Sequence, residues 1–349
     1  MSEAARKEQL ERLLWFLEDR GSSGRWLVLT HDNPDPDALA SAHAMAKLLH
    51  SGLGRKVTIG YGGIIGRAEN REMVRVLGLE MSHIRHLSWK NYKHFALVDT
   101  QPRTGNNQLP EEIVPDLVFD HHPRRKATQS VPFADVRPAY GATATMMAEY
   151  LLAKEVKITG ADATALVYAI RTETRDFGRE ASGPDKEVYD LLYPRVNKGQ
   201  LAKIQHPRLP LSYFRTLHQA LERLETVETL IVSHLEAVAQ PDIVPEIADL
   251  LLRLEGKTWS LCTGLFEDRV CLSVRTTNTR ADAGNIMRRL VGSKGRGGGH
   301  GMTAGGWMSL GSRTDPLTQQ RRLAERLARY LRKDPSKLDP VSLQEVRLA

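Results

Sequence analysis

The chain has 349 residues, of which 41% are hydrophobic, so it is long and apolar enough to bury a sizeable core and to form two domains. Its 49 basic and 42 acidic residues give a formal net charge of +7, an excess that favours an anionic partner such as a nucleotide or a short nucleic acid. Because the sequence shows neither a long apolar run nor a basic and apolar leader, we expect a soluble, cytoplasmic protein that does not bind a membrane.

The chain contains two cysteines, Cys262 and Cys271, in neighbouring strand-like runs. Their positions lack the spacing of a metal site, and we expect buried, reduced thiols rather than a disulfide framework. We assign them no functional role. Any metal chemistry in this chain therefore has to come from carboxylates and imidazoles.

The N-terminal part of the chain reads as a helix, a strand, a polar loop and a second helix. Leucines at helical spacing predict a helix over residues 4–20, and Gly21 follows as a natural end. The apolar run 26–29 predicts a strand that leads directly into the polar segment 30–37, after which helical spacing resumes. This order is typical of the first half of a βαβ unit.

The polar segment after the first strand is the first candidate for chemistry. Pro34 and Pro36 stiffen this loop and remove backbone donors, which helps to hold its side chains in a fixed arrangement. We expect His31, Asp35 and Asp37 to converge on one point.

Two further predicted strands end at acidic residues. Asp99 follows one apolar run, and the triplet Asp120-His121-His122 lies at the end of the next. Because the carboxyl ends of parallel strands meet at one edge of a sheet, we expect these side chains to lie beside the first polar loop.

The second half of the chain shows a different pattern after a helical connector. Its predicted elements are a strand at 229–232, a hairpin of 257–265 and 269–275, and helices at 281–290 and 317–331. Between these helices lies a run from Gly295 to Gly301 that is too glycine-rich for a helix interior. Its permissive backbone allows main-chain donors to approach a ligand closely.

These patterns predict an α/β protein. The expected parts are a larger N-terminal catalytic domain with a mainly parallel, doubly wound sheet over residues 1–200, a helical connector over 201–225, a smaller C-terminal α/β domain with a mixed sheet over 226–335, and a tail over 336–349.

Carboxylates and imidazoles suit divalent ions such as Mn²⁺ or Mg²⁺, and the candidate ligands are numerous enough for two ions. Two ions about 3.5–4 Å apart polarise a phosphoryl group and stabilise the attacking and leaving oxygens. Each residue alone also has an ordinary explanation: His31 orients a turn, Asp35 and Asp37 cap the following helix, and Asp99 begins a loop. All of these explanations must hold together to exclude a shared site.

Taken together, the motifs resemble those of the DHH phosphoesterases. In family order they are His31-x-x-Pro34-Asp35-x-Asp37, Asp99, Asp120-His121-His122 and Thr172-Glu173-Thr174, and the run Gly297-Gly298-Gly299-His300 resembles the signature of the DHH-associated C-terminal domain. The similarity covers about residues 20–310. It is closest to the branch of nano-RNases and 3′,5′-bisphosphate nucleotide phosphatases, which hydrolyse very short oligonucleotides from one end and remove a phosphate from adenosine 3′,5′-bisphosphate.

The resemblance implies a two-metal centre, with manganese preferred and magnesium or cobalt as alternatives. The implied ligands are His31 and Asp35 for one ion, Asp37 and His121 for the other, and Asp99 as the bridge. Glu173 of the fourth motif completes the second ion's shell. His122 faces the scissile phosphate, and Asp120 orients the neighbouring imidazole.

The resemblance also implies a substrate-binding role for the C-terminal domain. The residues expected to hold the terminal phosphate and base are Arg275, Arg296, Gly297, Gly298, Gly299 and His300. Arginine and main-chain donors match phosphate chemistry. A flexible loop is the ordinary alternative for the glycine run.

The chain departs from the family pattern in several places. Pro36 stands where nano-RNases usually have glycine, and Ala40 replaces another small glycine. The fourth motif usually carries Asp-Thr-Gly, whereas this chain has Glu173, Thr174 and Arg175. Three alternatives stay open: Glu173 reaches the second ion, Asp176 replaces it, or water completes the shell.

Positive charge near the implied site has two interpretations. Arg175 adds a cation beside the fourth motif and is expected to alter substrate choice. Arg124, Arg125 and Lys126 follow the central triplet, where they either steer a phosphate backbone or form a solvated basic loop.

The leading functional hypothesis is a two-metal phosphoesterase that hydrolyses short oligonucleotides, such as nanoRNA and linear dinucleotides, and adenosine 3′,5′-bisphosphate in a cleft between the domains. A phosphodiesterase for cyclic or linear signalling dinucleotides is the second possibility. A nucleotide-binding sensor that kept the fold and lost turnover is the alternative of another class. The resemblance leaves open whether the chain forms a homodimer.

Overall fold

The computed structural model describes residues 3–20, 23–178, 181–311 and 314–341 of the chain. The chain divides into two units, Met1–Pro207 and Arg208–Ala349. Among the described residues, no helix combines the length and the apolar character that crossing a membrane requires.

The first unit is built on a six-stranded parallel sheet. Its strands are β1 (Arg25–Leu29), β2 (Lys56–Tyr61), β3 (Ser82–His83), β4 (His94–Val98), β5 (Leu117–Asp120) and β6 (Phe133–Val136). They are arranged in the order β3-β2-β1-β4-β5-β6. Every pair of neighbouring strands is parallel, so β1, β4 and β5 end at the same edge. The predicted α/β class with a mainly parallel sheet is confirmed.

Helices surround this sheet in the first unit. They are α1 (Glu3–Asp19), α2 (Pro36–Lys47), α3 (Ala68–Leu77), α4 (Thr143–Ala153), α5 (Gly160–Glu173), α6 (Gly183–Leu192) and α7 (Lys198–Gln205). The segment that ends α1 is followed by Gly21, the expected helix stop, which lies outside the described residues.

Alternate residues of the central strands point to two separate hydrophobic clusters. In β1, Trp26 and Val28 pack with the helices, whereas Leu27 and Leu29 pack with turns around Ile84. Both faces of the strands are buried, as expected for a parallel sheet. The sheet is therefore a rigid support for the loops that follow its carboxyl ends.

The second unit contains a seven-stranded mixed sheet. Its strands are β7 (Leu224–Val227), β8 (Leu230–Ala237), β9 (Trp259–Phe266), β10 (Arg269–Thr276), β11 (Gly295–His300), β12 (Thr303–Ser309) and β13 (Asp339–Pro340), in the order β11-β12-β10-β9-β8-β7-β13. Its helices are α8 (Leu211–Glu222), α9 (Ile243–Leu251), α10 (Ala283–Val291) and α11 (Pro316–Tyr330). Strands β8 and β9 are parallel, and the hairpin of β9 and β10 matches the sequence prediction. Both cysteines are free thiols in this hairpin.

The glycine run forms a strand, so the flexible loop that was its ordinary alternative is excluded. Residues from Gly295 to His300 form the edge strand β11, which pairs antiparallel with β12. A β-carbon at Gly297 would lie 2.7 Å from the side chain of Met287 on α10, and one at Gly299 would lie 2.3 Å from the carbonyl oxygen of Thr303. Packing against α10 and β12 therefore accounts for glycine at these positions.

Close contact between α10 and β11 gives a prediction about stability. A β-carbon at Gly284 would lie 2.0 Å from the carbonyl oxygen of Gly299, which is a backbone atom and cannot rotate away as a side chain can. We expect Gly284→Ala to lower the free energy of unfolding by about 1–3 kcal/mol, although alanine itself favours helices. The control is Gly298→Ala, where a β-carbon meets no atom within 4 Å. Urea denaturation followed by circular dichroism measures both, and equal stability of the two variants would contradict the packing explanation.

Candidate metal centre

Three neighbouring strands deliver the predicted site residues to one edge of the first sheet. His31 lies two residues beyond β1, Asp99 follows β4 directly, and Asp120 is the last residue of β5. Asp99 has a φ of 58°, a left-handed conformation that is uncommon for a residue other than glycine. The structure thus brings together the side chains that the sequence predicted to converge.

One group of possible ligands consists of His31, Asp35 and Asp99. The Nε2 atom of His31 lies 3.4 Å from Oδ2 of Asp99 and 3.8 Å from Oδ1 of Asp35. On its other side, Nδ1 of His31 is 2.9 Å from the carbonyl oxygen of Asp32. A donated hydrogen bond to a carbonyl fixes the ring so that Nε2 is the nitrogen that faces the carboxylates.

A second group lies on the opposite oxygen of Asp99. The Nε2 atom of His121 is 3.7 Å from Oδ1 of Asp99 and 3.8 Å from Oδ2 of Asp37. Its Nδ1 atom is 3.2 Å from the carbonyl oxygen of Tyr140, so this ring is oriented in the same way as that of His31. The two oxygens of Asp99 therefore face two different histidines.

The donor set fits a divalent cation. Among the described residues, Nε2 of His121 is buried and has no hydrogen-bond partner, although an unsatisfied buried nitrogen is costly. Its nearest carboxylate oxygens lie beyond hydrogen-bond distance. A metal ion bound between imidazole nitrogen and carboxylate oxygens satisfies all of these atoms at once.

Asp37 is held by the start of α4. Its carboxylate accepts hydrogen bonds from the backbone N–H groups of Thr143 (2.8 Å) and Ala144 (2.7 Å). No side chain of α4 itself caps this helix, so Asp37 serves as its cap from α2. Asp35 also caps a helix, because it accepts a 3.0 Å hydrogen bond from the N–H of Ala38 in α2. The ordinary explanation therefore holds for Asp35, whereas Asp37 caps α4 and not the helix that follows the polar loop. Each oxygen of the Asp37 carboxylate accepts one backbone hydrogen bond, and Oδ2 keeps a second lone pair for the site.

Asp120 orients His122. Its Oδ1 atom accepts a 2.8 Å hydrogen bond from Nδ1 of His122, which fixes the orientation of that ring. Gln101, which sequence reasoning missed, is 1% exposed and donates to Oδ2 of Asp120 over 2.5 Å. Its Oε1 accepts hydrogen bonds from the N–H of Arg125 (2.7 Å) and the hydroxyl of Thr128 (2.6 Å). Gln101 thereby ties the Asp120 carboxylate to the basic segment that follows the triplet.

The fourth motif lies at the end of α5. Glu173 is close enough to Asp37 and His122 for its negative charge to shift the pKa of both groups. Asp176 instead forms an ion pair with Arg171, and 69% of its side chain is exposed. Of the two acidic candidates, Glu173 is the one that acts electrostatically on the centre.

Burial and the concentration of negative charge at the centre shift the pKa values of Asp37 and His31. Burial raises the pKa of Asp37 well above its ordinary value, and the charges of Asp99, Glu173 and Asp35 add to that effect. Burial disfavours the charged form of His31, but its interactions with the carboxylates of Asp35 and Asp99 outweigh burial and raise its pKa well above the usual value. The centre therefore favours the uptake of positive charge, whether as protons or as metal ions.

The predicted residues of the C-terminal unit lie on two strands. Arg275 of β10 is largely buried, with its Nε 2.7 Å from Oδ1 of Asp249 and its NH1 3.2 Å from the carbonyl oxygen of Ala304. A substrate phosphate would have to compete with Asp249 for this guanidinium. Arg296 is exposed on β11, and the side chain of His300 lies outside the described part of the structure.

Family models match both units of the chain. A model of the N-terminal domain of the DHH family matches residues 25–170, and a model of the DHHA1 domain matches residues 228–331. The chain belongs to the DHH family. The first match contains the ligand groups around Asp99, and the second contains the glycine strand β11 of this DHH protein.

The chain is also similar to a curated protein and to a solved structure. An uncharacterized protein of Methanocaldococcus jannaschii is 33% identical over 287 residues, which are 82% of this chain and 58% of that protein. The chain thus spans less than two thirds of this relative's length. The structure of an exopolyphosphatase-related protein from Bacteroides fragilis has a TM-score of 0.70 at 12% identity and covers 93% of this chain and 98% of that chain. At this identity the likeness shows the fold alone.

Titration of the centre gives a prediction about metal binding. A raised pKa keeps His31 protonated at neutral pH, and a metal-binding imidazole must lose that proton. We therefore expect Mn²⁺ binding to release protons and to tighten as the pH rises from about 6 to 8. Calorimetric titrations in buffers of different ionisation enthalpy measure this release. A binding heat independent of the buffer, together with an affinity independent of pH, would refute it.

Proposed function

We propose that this DHH protein is a two-metal phosphoesterase that hydrolyses phosphodiester or phosphomonoester bonds of short oligonucleotides, such as nanoRNA and linear dinucleotides, and of adenosine 3′,5′-bisphosphate. One observation carries the proposal: the two oxygens of Asp99 face separate histidines, His31 and His121, each with a further carboxylate within 4 Å. Such an arrangement suits two cations that share a bridging carboxylate.

In the proposed centre, His31 and Asp35 hold one ion, and Asp37 and His121 hold the other, with Asp99 as the shared ligand. Manganese fits this mixed nitrogen and oxygen donor set, as do magnesium and cobalt to differing degrees. When bound, such ions supply Lewis-acid stabilisation of a phosphoryl oxygen and lower the pKa of water. Glu173 is our candidate for completing the second site.

His122 is proposed to act on the substrate phosphate. Burial lowers its pKa, but the hydrogen bond to Asp120 and the charges of Asp99 and Glu173 outweigh burial and raise it to about 9. The ring therefore carries a proton at neutral pH, and Asp120 holds Nδ1. The proposed role of this protonated ring is to donate from Nε2 to a phosphate oxygen or to the leaving oxygen.

Substrate binding is proposed to use positive charge and main-chain donors. Arg124, Arg125 and Lys126 follow the triplet, and Gln101 fixes the backbone of this segment through the N–H of Arg125. In the C-terminal unit, Arg275, Arg296, Gly297, Gly298, Gly299 and His300 are the proposed phosphate and base contacts. The overall charge of +7 supports an anionic substrate.

Gly298 supports a ligand beside β11. Unlike at Gly297 and Gly299, a β-carbon at this position would meet no atom within 4 Å, so internal packing does not require glycine there. An edge strand also leaves alternate backbone groups unpaired on its outer side. Close approach of a substrate is a reason for glycine at this position.

Purified protein incubated with Mn²⁺ and a substrate panel tests the activity. The panel contains dinucleotides, cyclic dinucleotides, adenosine 3′,5′-bisphosphate, longer single strands and polyphosphate, and we expect cleavage of the linear dinucleotides and the bisphosphate. Asp99→Ala and His121→Ala are expected to abolish turnover while the circular dichroism spectrum is retained. His86→Ala, a change at an exposed histidine, is the control and keeps full activity.

Two outcomes of that assay count against the proposal. Full activity of Asp99→Ala or His121→Ala would refute the site assignment. An absence of cleavage throughout the panel, despite bound metal and tight nucleotide binding, would favour a nucleotide-binding sensor. Cleavage of cyclic dinucleotides alone would point to a signalling phosphodiesterase.

A matched pair of variants tests the fourth motif. We expect Glu173→Gln to reduce the number of Mn²⁺ ions bound per chain, because its charge acts on Asp37 and His122. Asp176→Asn, at an exposed residue paired with Arg171, is expected to leave the number unchanged. Equilibrium dialysis measures both. The opposite pattern would assign the second site to Asp176.

A further inference from the structure

A cavity with several polar side chains in its lining lies within the C-terminal unit, remote from the glycine strand. It has a volume of about 520 Å³ and lies between β7, β8 and the first turns of α11. In the sheet order, β12, β10 and β9 separate β8 from β11. The volume is within the range of about 300–1,000 Å³ that is typical of small-molecule sites.

Buried polar atoms without partners line this cavity. In the described part of the chain, NH1 of Arg223, Oε2 of Glu225 and Nε2 of His234 are buried and make no hydrogen bond. The whole His234 residue is only 6% exposed. An unsatisfied buried polar group is costly, so three of them around one cavity indicate contacts that a ligand completes.

Two arginines act electrostatically on His234 at this cavity. Burial, together with the charges of Arg321 and Arg223, lowers the pKa of His234 to about 4, so this imidazole is neutral at neutral pH. Its Nδ1 atom is 2.7 Å from the hydroxyl of Thr263. When that hydroxyl donates to Nδ1, Nε2 carries the ring proton and offers a donor beside the two arginines.

An irregularity in β8 and a contact with α11 lie beside this cavity. Strand β8 is irregular between His234 and Ala237, where its register against β9 shifts. Gln320 of α11, which is fully buried, donates a 3.0 Å hydrogen bond to the carbonyl oxygen of Leu235 in this bulge. Bulges redirect side chains and occur often beside functional sites. The helix that carries Arg321 is thereby fixed to the strand that carries His234.

We propose that this cavity binds a small phosphorylated molecule that also carries hydrogen-bond donors, the class of sugar phosphates and nucleoside monophosphates. NH1 of Arg223, whose NH2 pairs with Glu236, binds the phosphate together with Arg321 and His234. Glu225 accepts from a hydroxyl or amino group of the ligand. Two exposed carboxylates at the cavity, Glu222 and Asp315, oppose ligands of higher negative charge, so a monophosphate is preferred to a triphosphate.

Calorimetry with the full chain, in the presence of a metal chelator, tests this site. We expect ribose 5-phosphate and adenosine monophosphate to bind, adenosine without phosphate not to bind, and the triphosphate to bind more weakly. Arg321→Ala is expected to weaken the binding of ribose 5-phosphate at least about tenfold. Arg322→Ala, the neighbouring exposed arginine on α11, is the control and leaves the affinity unchanged.

A second variant tests the role of the carboxylate. Glu225→Gln removes a negative charge, so inorganic phosphate is expected to bind more tightly, while the advantage of ribose 5-phosphate over inorganic phosphate decreases. Equal losses in Arg321→Ala and Arg322→Ala, or no binding of either phosphorylated ligand, would overturn the proposal. Asp99→Ala is expected to bind ribose 5-phosphate as tightly as the unchanged protein does. The test of the cavity is therefore independent of phosphoesterase activity.

Discussion

The position of Asp99 between His31 and His121 is the constraint on which the site depends. Parallel pairing of β1, β4 and β5 places the three strand ends side by side, and each carboxylate oxygen of Asp99 then faces a different imidazole. Carbonyl oxygens of Asp32 and Tyr140 hold the two rings in that orientation. The strand ends place Asp99 between the two histidines, and the backbone carbonyls fix the orientation of the histidine rings.

Concentrating carboxylates has a physical cost for the fold. Burial and like charge raise the pKa of Asp37, which shows that its charged form is disfavoured despite two backbone hydrogen bonds. A divalent cation favours the charged form of these carboxylates, because each of them is attracted to the cation. Metal binding is therefore expected to stabilise the N-terminal unit as well as to provide its chemistry.

Local sequence patterns predicted the parallel sheet and the strand ends, because hydrophobic runs and the polar residues that follow them are contiguous in the chain. Gln101 was missed, since its contacts with Asp120 and Thr128 arise only when two loops meet. No regular element was predicted for the glycine run, because its packing partner, Met287, lies in the separate helix α10. The cavity at His234 likewise joins residues that are distant in sequence.

The central claim is that Asp99 bridges two metal ions, and anomalous X-ray scattering tests it most directly. Crystals grown with Mn²⁺ and measured at the manganese absorption edge are expected to show two peaks, one between Asp99 and His31 and the other between Asp99 and His121. A single peak, or peaks remote from Asp99, would contradict the account.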